Sequence, residues 1–333
     1  MRRGRASARR QAARQATGQV VRAGMRSGRF KPLSDRDVER IHDTALALLA
    51  EVGMANPIPL LLEKALQAGC RMNDHERLCF PRALVEDTIA RVPREIVFCG
   101  REPRHDLEYQ GSRVHYGGCG EAVRILDVEN DCYRPSTLLD IYDCGRLVDA
   151  LEHIHDHSHW MIATDIGDPR QADINAAYAC FAGTSKNISL SFASAANVEP
   201  VLQMAQLIAG GEQAFSERPF CSGGGCCVVS PLAYGEENSE VCIASTAFGS
   251  PVWIVVAPQA GATAPAALAG TLAQAVAEAL AGVLLVSLVV PGYPVTLGPW
   301  PFVSDLRTGA FSGGDEVVCT VTPSDGISDG TSM

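Results

Sequence analysis

The sequence predicts an α/β fold, an incomplete (β/α) barrel of the TIM type with an N-terminal helical and β cap. Three observations predict it. Beyond Pro135, apolar strands begin near residues 159, 188, 219, 252 and 293 with helical stretches between them, a rhythm of about thirty to forty residues that suits successive βαβ units. No Rossmann glycine fingerprint follows any of these strands, which favours a barrel over a doubly wound sheet. Finally, the stretch Pro251 to Phe311 holds one complete strand–helix–strand unit, with an aromatic cluster at the end where barrel enzymes keep their active sites.

The elements follow in chain order. Residues 1–34 hold ten Arg and Lys and no acid, so 1–33 read as a disordered, solvated basic tail. Ser34 is a good N-cap, with Asp35 and Asp37 in the first turn. Val38, Ile41, Ala45, Leu48, Leu49 and Val52 then recur at helical spacing up to Gly53. Shorter helices are expected over Pro57–Gly69 and Pro81–Val92. Residues 94–134 read as β structure, with strands at Ile96–Cys99, Val114–Tyr116 and Ala122–Val128, the last two flanking the turn Gly117-Gly118-Cys119-Gly120. Residues 34–134 thus form a helical cap and β-hairpin region.

The partial barrel covers 135–316. Helices are expected over Ser136–Leu151, Ala172–Gly183, Glu199–Gly210 and Asn238–Phe248, and from Pro265 onward. Strands are expected at His159–Asp165, Ile188–Ala193, Pro219–Gly223, Val252–Ala257 and Tyr293–Gly298. Val283–Val290 is β-branched enough to read as strand or helix end. The tail 317–333 is polar, rich in Gly, Ser and Asp, and reads as irregular. A barrel closes with eight strands, and only five are legible here.

Composition bounds the function. The net charge is −10, and everything after the basic tail carries 18 basic against 38 acidic residues. A body that acidic argues against nucleic-acid binding. The long apolar run Ala279–Val290 is too short to span a bilayer, so no membrane role is expected. Twelve cysteines are scattered without a CxxC pair, which suits a reduced cytoplasmic protein.

Candidate residues carry competing readings. His153, His155, His157 and His159 alternate and would share one face of a strand, where they could bind a metal. A single tract is a weak zinc pattern, and the alternative is a polar loop leading into a strand. Gly223, Gly224 and Gly225 lack the P-loop Lys-Ser/Thr, so they read as a close backbone approach. Gly117 and Gly118 have the same two readings. Trp300, Phe302 and Tyr116 offer aromatic faces of the kind that bind methylated ammonium, or ordinary packing under a loop. Asp165 would face a cation at the barrel mouth or cap a helix. Ser189 and Ser191 alternate on their strand and line or fill the interior. No Ser-His-Asp elbow, kinase, P-loop or HExxH pattern occurs.

The run AGATAPAALAGTLAQ at Ala260–Gln274 and the run SDLRTGAFSGGDE at Ser304–Glu316 resemble the corrinoid-dependent trimethylamine methyltransferase family. The resemblance runs from about Leu33 to Glu316, and with it comes the expectation of a C-terminally truncated or frame-shifted product. It implies methyl transfer from trimethylamine, or from a quaternary amine of the glycine betaine type, to the Co(I) centre of a corrinoid protein. It implies no tightly bound cofactor, since the corrinoid belongs to a cognate partner protein, and no metal in this domain. It also implies a homo-oligomer, and makes Val283–Val290 the end of the helix. Tyr116, Trp300, Phe302 and Asp165 become the expected substrate residues. Gly117, Gly118, Gly223 and Gly224 become the expected corrinoid-facing glycines. No catalytic residue carries over. An inactive fragment of that family, or a binding protein for quaternary amines, remains the alternative.

Overall fold

The computed structural model describes residues 23–28, 30–118 and 120–303. The tail 317–333, the run from Ser304 and most of the basic tail lie outside the described residues. Five strands form an all-parallel sheet: β1 (Asp156–Ser158), β2 (Asn187–Leu190), β3 (Cys221–Gly225), β4 (Val252–Val256) and β5 (Val295–Pro299). Their spatial order is their sequence order. A doubly wound sheet would reverse direction at a switch point; this one does not. The sheet also curls. Flat strands spaced ~4.8 Å apart would hold β1 and β5 about 19 Å from each other, yet residues of all five line one cavity. The result is an open half-barrel.

Nine α-helices accompany it among the described residues: α1 (Asp35–Ala47), α2 (Pro59–Gln67), α3 (Arg82–Arg91), α4 (Leu138–Ala150), α5 (Pro169–Gly183), α6 (Val198–Ala209), α7 (Glu212–Glu217), α8 (Glu236–Ala244) and α9 (Leu268–Val289). Local chemistry explains their starts. Ser34 caps α1 by accepting from Asp37 N–H. Thr137 and Asp140 make a reciprocal capping box on α4. Asp168 caps α5, with Pro169 in its first turn.

Strand alternation sorts the two faces of the sheet. Val252, Ile254, Val256 and Val295 are buried against the helices. Asp156, Ser158, Ser189, Trp253, Val255 and Thr296 point the other way, into the cavity. On the helical face lies α9, almost wholly buried and apolar except at Thr271, Gln274, Glu278 and Ser287. Gly282 sits so close to Ile254 that a Cβ there would press on its side chain. The opposite side of α9 meets the N-terminal helices, and Leu46, Leu49 and Leu61 share one core with Leu284, Leu285 and Val286. The helical cap is therefore built into the barrel's wall. A second core joins Phe181, Ile188, Leu190, Val201 and Phe220 behind β2 and β3. The apolar run expected at Ala279–Val290 proves to be part of a 22-residue helix, long and apolar enough to cross a membrane. Its most apolar stretch is 72% buried inside the fold, so it serves as a core helix.

Several expectations need correction. Residues 159–165 form no sheet strand. Their apolar run Trp160–Ala163 imitated one, but its backbone bonds go elsewhere: Ile162 N–H donates to Ala122 O, and Thr164 N–H to Ser136 O. The sheet strand is the polar triplet before it, Asp156–Ser158. Nor do Val114 and Ala122 flank a hairpin. Arg113–Val114 pairs antiparallel with Met25–Arg26, so the ordered fold reaches back into the expected tail. Arg124–Asp127 pairs instead with Cys132–Pro135. Between these ladders, residues 116–118 and 120–122 run along the outer edge of β1. His155 N–H donates to Tyr116 O, Ala122 N–H to Trp160 O, and the Ser158 hydroxyl to Gly118 O. This covers an edge that would otherwise stand unpaired.

Lys186 fastens the entry to the barrel. It is 4% exposed, and its ammonium donates to the carbonyls of Val148, Leu151 and Ile154, where α4 ends and the chain turns into β1. Lys186→Met would leave these carbonyls without a donor and should cost about 3 kcal/mol, read as a lowered thermal midpoint. Gly118 packs against the Trp160 indole so closely that any Cβ would overlap it. Gly118→Ala should therefore displace residues 116–118 and 120–122 from β1, seen as faster amide exchange at His155 and Ile162.

Candidate functional site

A cavity of about 500 Å³ opens at the C-terminal end of the parallel strands, within the range of small-ligand sites. Ser158 and Asp156 come from β1, Ser189 from β2, with Ser191 just beyond it, and Gly225 and Cys226 from the end of β3. Trp253 and Val255 come from β4, Thr296 from β5, and Trp300 from just past it. Phe98 and Tyr109 reach in from the ladder Ile96–Phe98 with Leu107–Tyr109, and Gly118, Gly120 and Glu121 from the edge segment. Two wall types result: aromatic rings from Phe98, Tyr109, Phe192, Trp253 and Trp300, and ionisable groups from Asp156, Glu121 and His159.

Burial tunes the ionisable groups. It pushes the Asp156 carboxyl up to about 6, against the opposing charge of Lys186. Glu121 rises to about 7, first through burial and then through the charge of Asp173. Its side chain keeps 31% of its surface exposed, so access to solvent moderates that shift. His159 is pushed down to about 4 by burial and is neutral near pH 7. Its Nδ1 lies 3.3 Å from the Ser191 hydroxyl and 3.6 Å from a Glu121 oxygen, the latter an approach longer than a hydrogen bond. Its Nε2 is buried without a partner. The Tyr109 hydroxyl is raised to about 12 by burial and by Asp156.

The residues expected from sequence fall in different places. Trp300 and Gly118 line the cavity, as do Ser189 and Ser191. Tyr116, Phe302 and Asp165 are not in its walls. The Tyr116 ring is 59% exposed beside His155. Phe302 belongs to the short ladder with Gln259–Ala260 above the sheet. Asp165 accepts from Leu138 N–H, so it caps the start of α4. The four expected corrinoid-facing glycines meet this chain's own atoms. Gly117 packs against Asp156, Gly118 against Trp160, Gly223 against Ser245 and Gly224 against Trp253. The histidine tract splits up. His155 accepts from Tyr116 N–H, His157 is buried toward α4 and α5, and His159 alone reaches the cavity. Among the described residues no metal-binding group of His, Cys, Asp and Glu forms.

Glu121, Asp156 and Trp253 were not singled out from sequence as binding residues, and His159 only as one of four candidate metal ligands. Trp253 carried a usable signal, because period-two alternation in VWIVV sets it opposite Val252 and Ile254. Glu121 carried none beyond its place after a glycine run.

Comparison with known proteins agrees with the resemblance. The family described as trimethylamine methyltransferase (MTTB) matches residues 1–322. Trimethylamine methyltransferase MttB of Desulfitobacterium hafniense is 32% identical over 277 residues, 82% of this chain and 55% of that protein. Trimethylamine methyltransferase MttB1 of Methanosarcina mazei is 26% identical over 277 residues, 82% of this chain and 56% of that one. A glycine betaine methyltransferase of D. hafniense is 26% identical over 291 residues, 85% of this chain and 59% of that one. Among solved structures, the monomethylamine methyltransferase MtmB of Methanosarcina barkeri aligns with a TM-score of 0.43 at 14% identity, covering 80% of this chain and 60% of that one. The chain thus spans a little over half the length of the curated relatives it matches. On the match across residues 1–322, the chain belongs to the trimethylamine methyltransferase (MTTB) family.

Proposed function

We propose that this chain is the substrate-holding part of a methyltransferase that moves a methyl group from a small methylated ammonium ion to the Co(I) of a corrinoid carried by a partner protein. The half-barrel is then one portion of a closed TIM-type barrel. The observation that carries the reading is the cavity at the strand ends, where aromatic rings and two carboxyl groups meet. A methylated ammonium is apolar at its surface and positive within. Indole faces attract it through cation–π and dispersion contacts, and carboxylates balance its charge. The names of the relatives support the same class of substrate.

The reaction is a displacement. Co(I) supplies the electron pair of the new Co–C bond, the N–C bond breaks, and its electrons stay on nitrogen, so a neutral amine leaves. A positively charged nitrogen is what makes that departure possible. This chain's residues need only orient one N-methyl toward the open mouth and keep the nitrogen charged. Trp253 and Trp300 orient; Glu121 and Asp156 hold the charge. The open end of the cavity beyond the strands, where Trp300 is partly exposed, is where a partner's corrinoid would approach. All ten described cysteines are free, which suits a reducing cytoplasm.

The test is a single-turnover assay with a Co(I)-loaded corrinoid protein, following loss of the Co(I) absorbance on adding trimethylamine or glycine betaine. Transfer is expected with one of them, and Trp253→Ala and Trp300→Ala should each slow it about 2- to 30-fold at limiting amine. No transfer and no binding of either amine would overturn the reading.

A further inference from the structure

We propose that Glu121 reads the N–H of the bound substrate, so that the cavity favours a protonated tertiary amine, trimethylammonium, over quaternary ammonium ions. This rests on the ammonium reading of the cavity given above. The two ligand classes differ in one group. A quaternary ion presents carbon on every side; trimethylammonium presents three methyls and one N–H donor. An aromatic wall alone answers both equally. Distinguishing them takes an acceptor that is free, charged and within the cavity.

Glu121 meets those conditions once ionised, in the empty site above about pH 7. Glu121 lines the same cavity as the aromatic rings, and among the described residues no hydrogen bond to its carboxylate is formed. His159, 3.6 Å away, is directed at Ser191 and stays neutral, so it does not neutralise Glu121. Glu121, His159, Ser191 and Phe192 also line a neighbouring cavity of about 280 Å³ that extends to Asp173 on α5. Glu121 therefore stands on the partition between two spaces and is reachable from both. Asp156, the other carboxyl, is covered on one side by Gly117 and supplies charge to either ligand.

The same geometry implies proton linkage. The groups facing Glu121 are His159 from the end of β1, Asp173 from α5, Cys226 after β3, and Asp156 across the cavity. In the empty site Glu121 is raised to about 7, while His159, at about 4, stays neutral through that range. Below pH 7 the carboxyl is mostly protonated, and binding an N–H donor must ionise it. Affinity for trimethylammonium should then fall as pH drops below about 7, with a proton released on binding. Asp156, at about 6, adds a later step common to both cations.

Calorimetric titration of the purified chain with trimethylamine hydrochloride and with tetramethylammonium chloride tests this. The wild type should bind trimethylammonium about tenfold tighter or more, the usual worth of a charged hydrogen bond. Glu121→Gln should erase that preference while tetramethylammonium still binds, which also certifies the variant's fold. In the wild type at pH 6.5, titration in two buffers of different ionisation enthalpy should show a proton released with trimethylammonium, independently of any variant. Equal weakening of both ions in a cooperatively melting Glu121→Gln, or no proton release, would overturn the role of Glu121 and leave the ammonium cavity standing. Failure of both ions to bind the wild type would remove the cavity reading and this inference together.

Discussion

The fold depends on the two-sided burial of α9. One side of this helix meets Val252, Ile254 and Val256 of β4; the other meets Leu46, Leu49 and Leu61 from the N-terminal helices. Few helices of a soluble protein can be buried all round, because one face usually meets water. Here no face is free, and the consequence runs outward. The N-terminal helices cannot be a detachable lid, since removing them would expose the leucines of α9. Where α9 packs on the sheet, Val252, Ile254, Val256 and Val295 leave no room for polar groups, so the polar residues of β4 and β5 lie on the opposite face. That is why Thr296 converges with Asp156, Ser158 and Ser189 on one cavity.

Much of this arrangement was legible in the sequence. Four of the five sheet strands lie within two residues of their expected starts; Val252–Val256 announces itself by β-branched content, whereas Cys221–Gly225 has none and is placed by its position after a helix. The helix start at Ser34 follows from a side chain that accepts a first free N–H group, whereas α5 begins at Pro169 under the cap of Asp168, ahead of the start expected at Ala172. The first strand misled for a physical reason. Trp160–Ala163 has the apolarity of a buried strand, while the real strand, Asp156-His157-Ser158, is polar because its interior face lines a cavity and its edge is closed by another segment. A pattern rule that rewards apolar runs places such a strand one element too late.

The site was less legible than the fold. Glu121 and His159 are 38 positions apart, and their approach depends on residues 116–118 and 120–122 lying along β1. No periodicity records that. Asp165 and Tyr116 show the converse. Both have chemistry suited to a cation, yet one is spent on a helix start and the other faces solvent. Glycines misled in the same manner. They mark close approach, and sequence alone does not say whether the approaching body is a ligand or, as at Gly118, the protein's own tryptophan.

The closure of β1 by residues 116–118 and 120–122 has a consequence for motion. The segment that satisfies the sheet edge is the one that delivers Glu121. Edge strands open more readily than central ones, since fewer bonds hold them. When this edge frays, the acid leaves the cavity with it. Loss of the ligand site and local opening of the sheet are then a single event, and a ligand that grips Glu121 also clamps the edge. Occupancy of the cavity and rigidity of the first strand should rise and fall together in this protein.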